Sequence, residues 1–326
     1  MENKYLYFLA PNVTLGKLKD SLIGLKGDTI IKIDGTHIID FITYLNKMID
    51  SNKGMEFQDL KNSLNVDSEE LEKVLNFLVD NKILSKYIND SNDSIKITSD
   101  KIGDQVDTLT MKNRLSAAEV NVISNNKNEI ANKLVEHLKE KGIKTTKQEN
   151  YNEKDSFRIV VAESHLDPIM KEINSQSLID QKPWLSIIPY DGKKAWVGPF
   201  YIPYQSACNY CYNLRKSANF DDEVLRHRLM ELEPLDSHVK KGEVYDSSIN
   251  LIQIGIAGNL ITEYVLLKEY APNAIPGGIQ SITLDSSGIS IDSHRVFKVP
   301  RCPKCSQSSD TGYPQVWFHE EGDINE

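Results

Sequence analysis

The spacing of apolar residues changes twice along this chain, and the changes divide it into parts. Tyr5 to Leu9, Ser21 to Leu25 and Thr29 to Ile33 are short strand-like runs, set apart by turn formers at Pro11-Asn12, Gly16, Gly24 and Lys26-Gly27-Asp28. They predict a small three-stranded meander. Ile38, Phe41, Ile42, Leu45, Met48 and Ile49 then recur at helical spacing up to Gly54, and a shorter helix covers Glu56 to Leu64. A third helix starts from an N-cap at Asp67 or Ser68; Leu71, Leu75, Leu78 and Lys82 share one face, and Val74, Phe77 and Asn81 line its neighbour. Three strands and three helices make a winged-helix-like module over residues 1–88.

Residues 89–116 are rich in Asp, Asn, Ser, Thr and Lys, with one brief alternation at Ile95-Lys96-Ile97, and read as a linker. From Glu119 the pattern becomes β-α-β: a strand at Val120 to Ile123, an amphipathic helix from Lys127 to Lys141, and a strand at Ile143 to Thr146. Phe157 to Ala162 is a continuous apolar strand of the kind buried on both faces of a parallel sheet. A helix to about Asp180 precedes a further strand, Trp184 to Ile188. Residues 117–326 therefore predict a doubly wound, Rossmann-like α/β domain, giving an α+β protein overall. The longest apolar run, Leu251 to Leu267, is interrupted by Gln253, Asn259, Thr262 and Glu263 and reads as a buried helix rather than a membrane span. A terminal meander is expected at Gly278 to Leu284, Gly288 to Asp292 and Arg295 to Val299.

The chain has only four cysteines, arranged as two Cys-x-x-Cys pairs: Cys208 with Cys211, and Cys302 with Cys305. Two such turns can close an all-thiolate tetrahedral shell around one structural Zn2+, with no position left for water or substrate. Two disulfides or a redox pair are the alternative. No secretory signal is evident, so a reducing cytoplasm and thus zinc are expected. A formal net charge of −9 argues against nucleic acid as a partner.

Nucleotide-binding folds of this class use a glycine-rich turn after the first strand, because only glycine lets backbone and helix N-terminus approach a phosphate. Here the turn is Ser124-Asn125-Asn126-Lys127-Asn128-Glu129, without glycine. ATP binding there is expected to be lost. The histidines are scattered; His165 and His227 read as surface or capping residues. No catalytic constellation emerges.

The segment from Lys182-Pro183-Trp184-Leu185 through Lys194-Ala195-Trp196-Val197-Gly198-Pro199-Phe200 to Cys208-Asn209-Tyr210-Cys211, with the terminal Pro300-Arg301-Cys302-Pro303-Lys304-Cys305, resembles the ThiF-like (ubiquitin-activating-enzyme-like) partner proteins of azole-forming YcaO cyclodehydratases. These belong to the biosynthesis of thiazole- and oxazole-modified bacteriocins and thiopeptides. The resemblance runs the length of the chain. It implies an N-terminal recognition element for the leader of a ribosomal precursor peptide, a bacterial cytoplasmic location, and as partners the leader, a YcaO cyclodehydratase, a flavin-dependent azoline dehydrogenase and a second copy of the chain. Together with the glycine-free turn, it leads to the expectation of a non-catalytic scaffold that binds no ATP. In strand chemistry the leader would add to an edge strand formed by Thr29, Ile30, Ile31, Lys32 and Ile33, with Lys73, Val74 and Phe77 of the third helix walling the groove. Core packing is the competing reading of Val74 and Phe77. An ATP-dependent adenylating enzyme and a zinc-stapled winged-helix regulator are the alternatives, the second disfavoured by the acidic third helix.

Overall fold

The computed structural model describes residues 5–10, 13–18, 21–26, 29–34, 54–64, 67–81, 83–88, 93–102, 106–124, 128–151, 154–219 and 247–306. Contacts divide the chain into two units, Met1–Arg114 and Leu115–Glu326, so the division falls inside the stretch read as a linker.

In the first unit β1 (Tyr5–Leu9) does not join the meander expected of it. Long-range pairing outweighs chain proximity. β1 is the middle strand of an antiparallel sheet between β5 (Met55–Glu56) and β6 (Leu84–Ile88), with Tyr7 opposite both Met55 and Lys86. The meander is instead β2 (Val13–Leu18), β3 (Ser21–Lys26) and β4 (Thr29–Asp34), antiparallel in that order. The helix expected over Ile38 to Ile49 lies outside the described residues. α1 (Phe57–Leu64) and α2 (Ser68–Asp80) follow the apolar spacing, and α2 begins where its cap lies: the Asp67 side chain accepts from the Glu69 N–H at 3.1 Å. Its Leu71, Leu75 and Leu78 are buried with Tyr7, Met55, Leu60, Ile83 and Leu84. Each fully buried aliphatic side chain of this kind contributes about 1.5–3 kcal/mol.

Residues 93–102 and 108–117 are helical, as α3 (Asp93–Ile102) and α4 (Thr108–Ala117). The Ile95-Lys96-Ile97 alternation is thus one turn of helix. Ile95 faces inward and Ile97 is exposed, and neighbouring Thr98 adds to the buried face. Asp107 starts α4 by accepting from the Thr110 N–H at 2.8 Å.

The second unit is built on a seven-stranded mixed sheet. β7 (Glu119–Ile123), β8 (Lys144–Gln148), β9 (Phe157–Val161) and β10 (Trp184–Ile188) are parallel, in the order β8-β7-β9-β10. β11 (Lys194–Tyr201), β12 (Gly278–Asp285) and β13 (Gly288–Arg295) continue it antiparallel. The doubly wound expectation therefore describes only the first half. The expected third strand of the terminal meander is absent: Arg295 is the last residue of β13, and the chain leaves the sheet after the Val296 N–H donates to Gly277 O at 2.8 Å.

α5 (Glu129–Glu140), between β7 and β8, and α6 (Pro168–Asp180), between β9 and β10, are the helical crossovers of the parallel half, N-capped by Asn128 and Asp167. α7 (Asn209–Ser217) follows the first cysteine pair, and α8 (Ser247–Leu267) is the apolar helix read from the sequence. By length and composition α8 with its following turn could cross a membrane, but 67% of its apolar window is buried in this unit. Its interrupting Gln253 has a specific task. A register shift between Leu185 and Ile187 disturbs the β10–β11 ladder, and Gln253 Nε2 donates to Ile188 O at 2.8 Å and Trp196 O at 3.1 Å. Gly258 lets α8 lie against α5: a Cβ there would meet His137 Cδ2 at 2.4 Å.

Candidate functional site: a four-thiol cluster and the cavity beside it

Cys208 is the N-cap residue of α7 and Cys211 lies in its first turn, so both sulfurs project from one end of one helix. The second pair is brought to them by α7 itself. Arg215 Nε donates to Phe297 O at 2.6 Å and its Nη2 to Lys298 O at 2.7 Å, which fixes the segment leading to Cys302 and Cys305. The four buried sulfurs lie within 4.8 Å of one another. Cys208 Sγ is 3.8 Å from both Cys211 Sγ and Cys302 Sγ, and Cys211 Sγ is 3.6 Å from Cys305 Sγ. A disulfide requires about 2.05 Å. Four thiolates about 2.3 Å from a tetrahedral zinc ion lie about 3.8 Å apart, which these spacings match. The Val299 N–H points at Cys211 Sγ from 3.4 Å, a donor of the kind that supports metal-bound sulfur. Electrostatics agree. The hydrogen bond from Cys208 draws the Cys211 thiol down to about 7, while sharing that bond with Cys211 pushes Cys208 upward. Four thiols this close cannot all ionise without a cation among them.

Beside the cluster lies a cavity of about 280 Å3, lined by residues that include His165, Asp167, Lys171, Asn174, Asn209 and Lys304. Its position follows from topology. β7 is succeeded by β8 on one side and β9 on the other, so the chain reverses winding direction between β7 and β9. The His165 loop leaves the C-terminal end of β9, the usual side for ligands in open α/β sheets. His165 is not a surface residue as expected. It is buried, 4.5 Å from the Tyr212 ring and 5.8 Å edge-on to Trp196. No sequence motif marked this cavity, because its walls come from α6, α7 and both cysteine turns. The signal that could have found it is the set of polar residues directly beside the cysteines, Asn209, Tyr210 and Lys304.

In the first unit, Thr29, Ile30, Ile31, Lys32 and Ile33 lie on β4, which pairs with β3 alone among the described strands. Ile30 is 71% exposed, whereas Ile31 packs against the core that α2 covers. Lys32 pairs with Asp34 at 2.9 Å. On α2, Val74 packs against that same core, Phe77 is 49% exposed, and Lys73 pairs with Glu69 at 2.8 Å. Ile31 and Val74 thus share a core, while Ile30, Lys32, Lys73 and Phe77 face outward.

No family model matches this chain, and no curated protein matches it in sequence. Solved structures do match in fold. The heterocyclase TruD superimposes with a TM-score of 0.68 at 17% identity, over 93% of this chain and 43% of TruD. A heterocyclase solved in complex with substrate and cofactor gives 0.68 at 19%, over 92% of this chain and 39% of its own. Escherichia coli MccB with SeMet MccA gives 0.53 at 13%, over 92% of this chain and 99% of MccB. The fold is common to all three. MccB has also been solved with ATP.

This chain spans less than half of the heterocyclases it matches. The neighbours correct one expectation. The resemblance and the glycine-free turn together lead to the expectation of a non-catalytic chain that binds no ATP, yet the same fold occurs in a heterocyclase and in a protein solved with ATP. The physical reason is that a nucleotide site draws on several loops at the C-terminal edge of the sheet, so one turn does not decide it. Of that turn, residues 125–127 lie outside the described residues.

Proposed function

We propose that this chain is an enzyme of ATP-dependent ribosomal-peptide modification, working as the ThiF-like part of a peptide heterocyclase. The observation that carries the reading is the match to TruD across 93% of the chain. In this reading the first unit holds the leader of a precursor peptide, and the second contributes to an ATP-driven body in which Cys, Ser or Thr side chains close onto the backbone as azolines. A YcaO cyclodehydratase works alongside it, and a flavin-dependent azoline dehydrogenase acts on the product. Holding one end of a flexible substrate raises the effective concentration of the other at the reacting centre. The leader adds as a strand to β4, main chain to main chain, with exposed Ile30 and Phe77 receiving apolar side chains. Cys208, Cys211, Cys302 and Cys305 hold one zinc ion. With all four positions filled by sulfur, that ion is structural, tying the end of the second unit to α7.

The test is the mass of a precursor peptide incubated with ATP and the YcaO protein, with and without this chain. Loss of one water per ring only when the chain, ATP and leader are all present supports the reading; equal products without the chain refute it.

A second reading is favoured by one observation: the match covers 99% of MccB but only 43% of TruD. By that reading the chain is a self-sufficient ATP-dependent adenylating enzyme. Precursor-dependent exchange of pyrophosphate into ATP by this chain alone would select it.

A further inference from the structure

The cavity between α6 and α7 is lined by hydrogen-bond donors whose acceptors are already used elsewhere. Asn174 Oδ1 accepts from the Asn209 N–H at 2.8 Å, and Asn209 Oδ1 accepts from the Tyr201 hydroxyl at 3.2 Å. Each amide therefore has its NH2 group left over, and among the described residues neither NH2 group has a partner. Both residues are at least 95% buried. Lys171 on α6 and Lys304 within the second cysteine pair add two cations from separate elements. The one carboxylate, Asp167, is committed to its own backbone: it accepts from Ile169 N–H and Glu163 N–H, each at 3.2 Å. Ser175 likewise donates to Lys171 O at 3.0 Å. A space walled by two ammonium groups and two spare amide donors calls for a multiply accepting anion.

Two details separate the candidate anions. The lining's two ammonium groups and two amide NH2 groups match the three acceptor oxygens and nearly two negative charges of a phosphate better than the two oxygens and single charge of a carboxylate. The volume of about 280 Å3 also lies just below the range of drug-sized ligand sites, about 300 to 1,000 Å3, and suits a small group. We propose that this cavity binds the phosphate group of a small ligand, with Lys171 and Lys304 taking the charge and Asn174 and Asn209 donating amide hydrogens.

Free phosphate, pyrophosphate and a nucleoside monophosphate share this chemistry. Titration calorimetry of the full zinc-loaded chain with inorganic phosphate, pyrophosphate, AMP and acetate tells them apart. Binding of at least one phosphate species, and of acetate more weakly, is expected. Lys171→Met and Asn174→Asp should each weaken that binding about tenfold, the loss of one charge-assisted contact, and Lys171→Arg should largely restore it. Asn174→Asp keeps the oxygen that receives the Asn209 N–H, and an unchanged zinc content and melting temperature verify its fold. AMP binding without phosphate or pyrophosphate binding assigns the phosphate to a nucleotide and supports the site. Absence of binding by all three phosphate species, acetate binding as tightly, or unchanged affinity in both folded variants overturns it. The proposal does not rest on the reaction assigned above. Phosphate binding without ATP turnover keeps the site and removes that reading, and turnover without phosphate binding does the reverse.

Discussion

Arg158 is fully buried in β9, held between two carboxylates: its Nε donates to Asp155 at 3.1 Å, and its Nη atoms form a bidentate pair with Asp180 and reach Ser177 at 3.2 Å. Lys182 closes the group onto Asp155 at 3.1 Å. Removing one member of a buried charged pair strands the other, at a cost of about 3–5 kcal/mol. Arg158→Met is therefore expected to lower unfolding stability by about that amount, measured by urea denaturation. Asp180 gives the acid dependence. Burial alone would raise it, but the hydrogen bond and charge of Arg158 win and its carboxyl is lowered. Its stabilisation is thus complete above the unfolded carboxylate value of about 3.9 and is lost as pH falls from there towards the lowered folded value. Asp180→Asn should be less stable at neutral pH and lose less on acidification, read from melting temperatures between neutral pH and pH 3 or so. The sequence hid this network. An arginine within Phe-Arg-Ile-Val-Val gives no sign that Ser177 and Asp180 of α6 join nearby Asp155 in enclosing it, whereas the four cysteines could be paired by spacing alone, because Cys-x-x-Cys has few geometries.

Elements were legible where one local cause decided them and opaque where partners came from afar. α2 follows from Asp67 as cap and from Leu71, Leu75 and Leu78 on one face, all of which the structure buries. β1 could not be placed, since Met55 and Lys86, which flank Tyr7, lie roughly 50 and 80 residues away. β11 went unread for a similar reason: Ala195, Val197 and Phe200 are buried, but the run carries Gly198 and Pro199, which ordinarily argue against a strand interior. At the scale of elements the cysteine cluster acts as a staple between α7 and the segment after β13. Cys302→Ser should abolish stoichiometric zinc, measured by metal analysis. It should also lower the melting temperature of the second unit, and chelation of zinc from the unaltered chain should do the same. For β4 the expected result concerns the leader. Phe77→Ala should weaken a labelled leader peptide about tenfold in fluorescence polarisation if the exposed ring carries a hot spot, and proline at Ile31 should do so by removing a backbone donor. Affinity unchanged in both variants, each shown to be folded, removes β4 and α2 as the leader site.

For the whole molecule, a single fold is shared by neighbours described as a heterocyclase and by MccB, which has been solved with MccA and with ATP. The glycine-free turn argues against a phosphate site only because the sequence shows one loop at a time. A site assembled at the C-terminal edge of the parallel strands, with walls from α6, α7 and the cysteine turns, becomes visible only once these are brought together. A peptide held by the first unit and an anion held in the second would give ATP chemistry both its substrate and a place for charge. The most direct test is mass spectrometry of a leader-bearing precursor incubated with ATP and a YcaO cyclodehydratase. Water-loss products that require this chain, and that fall sharply when the leader is removed, are the expected result; the same products at the same rate without the chain would contradict the account.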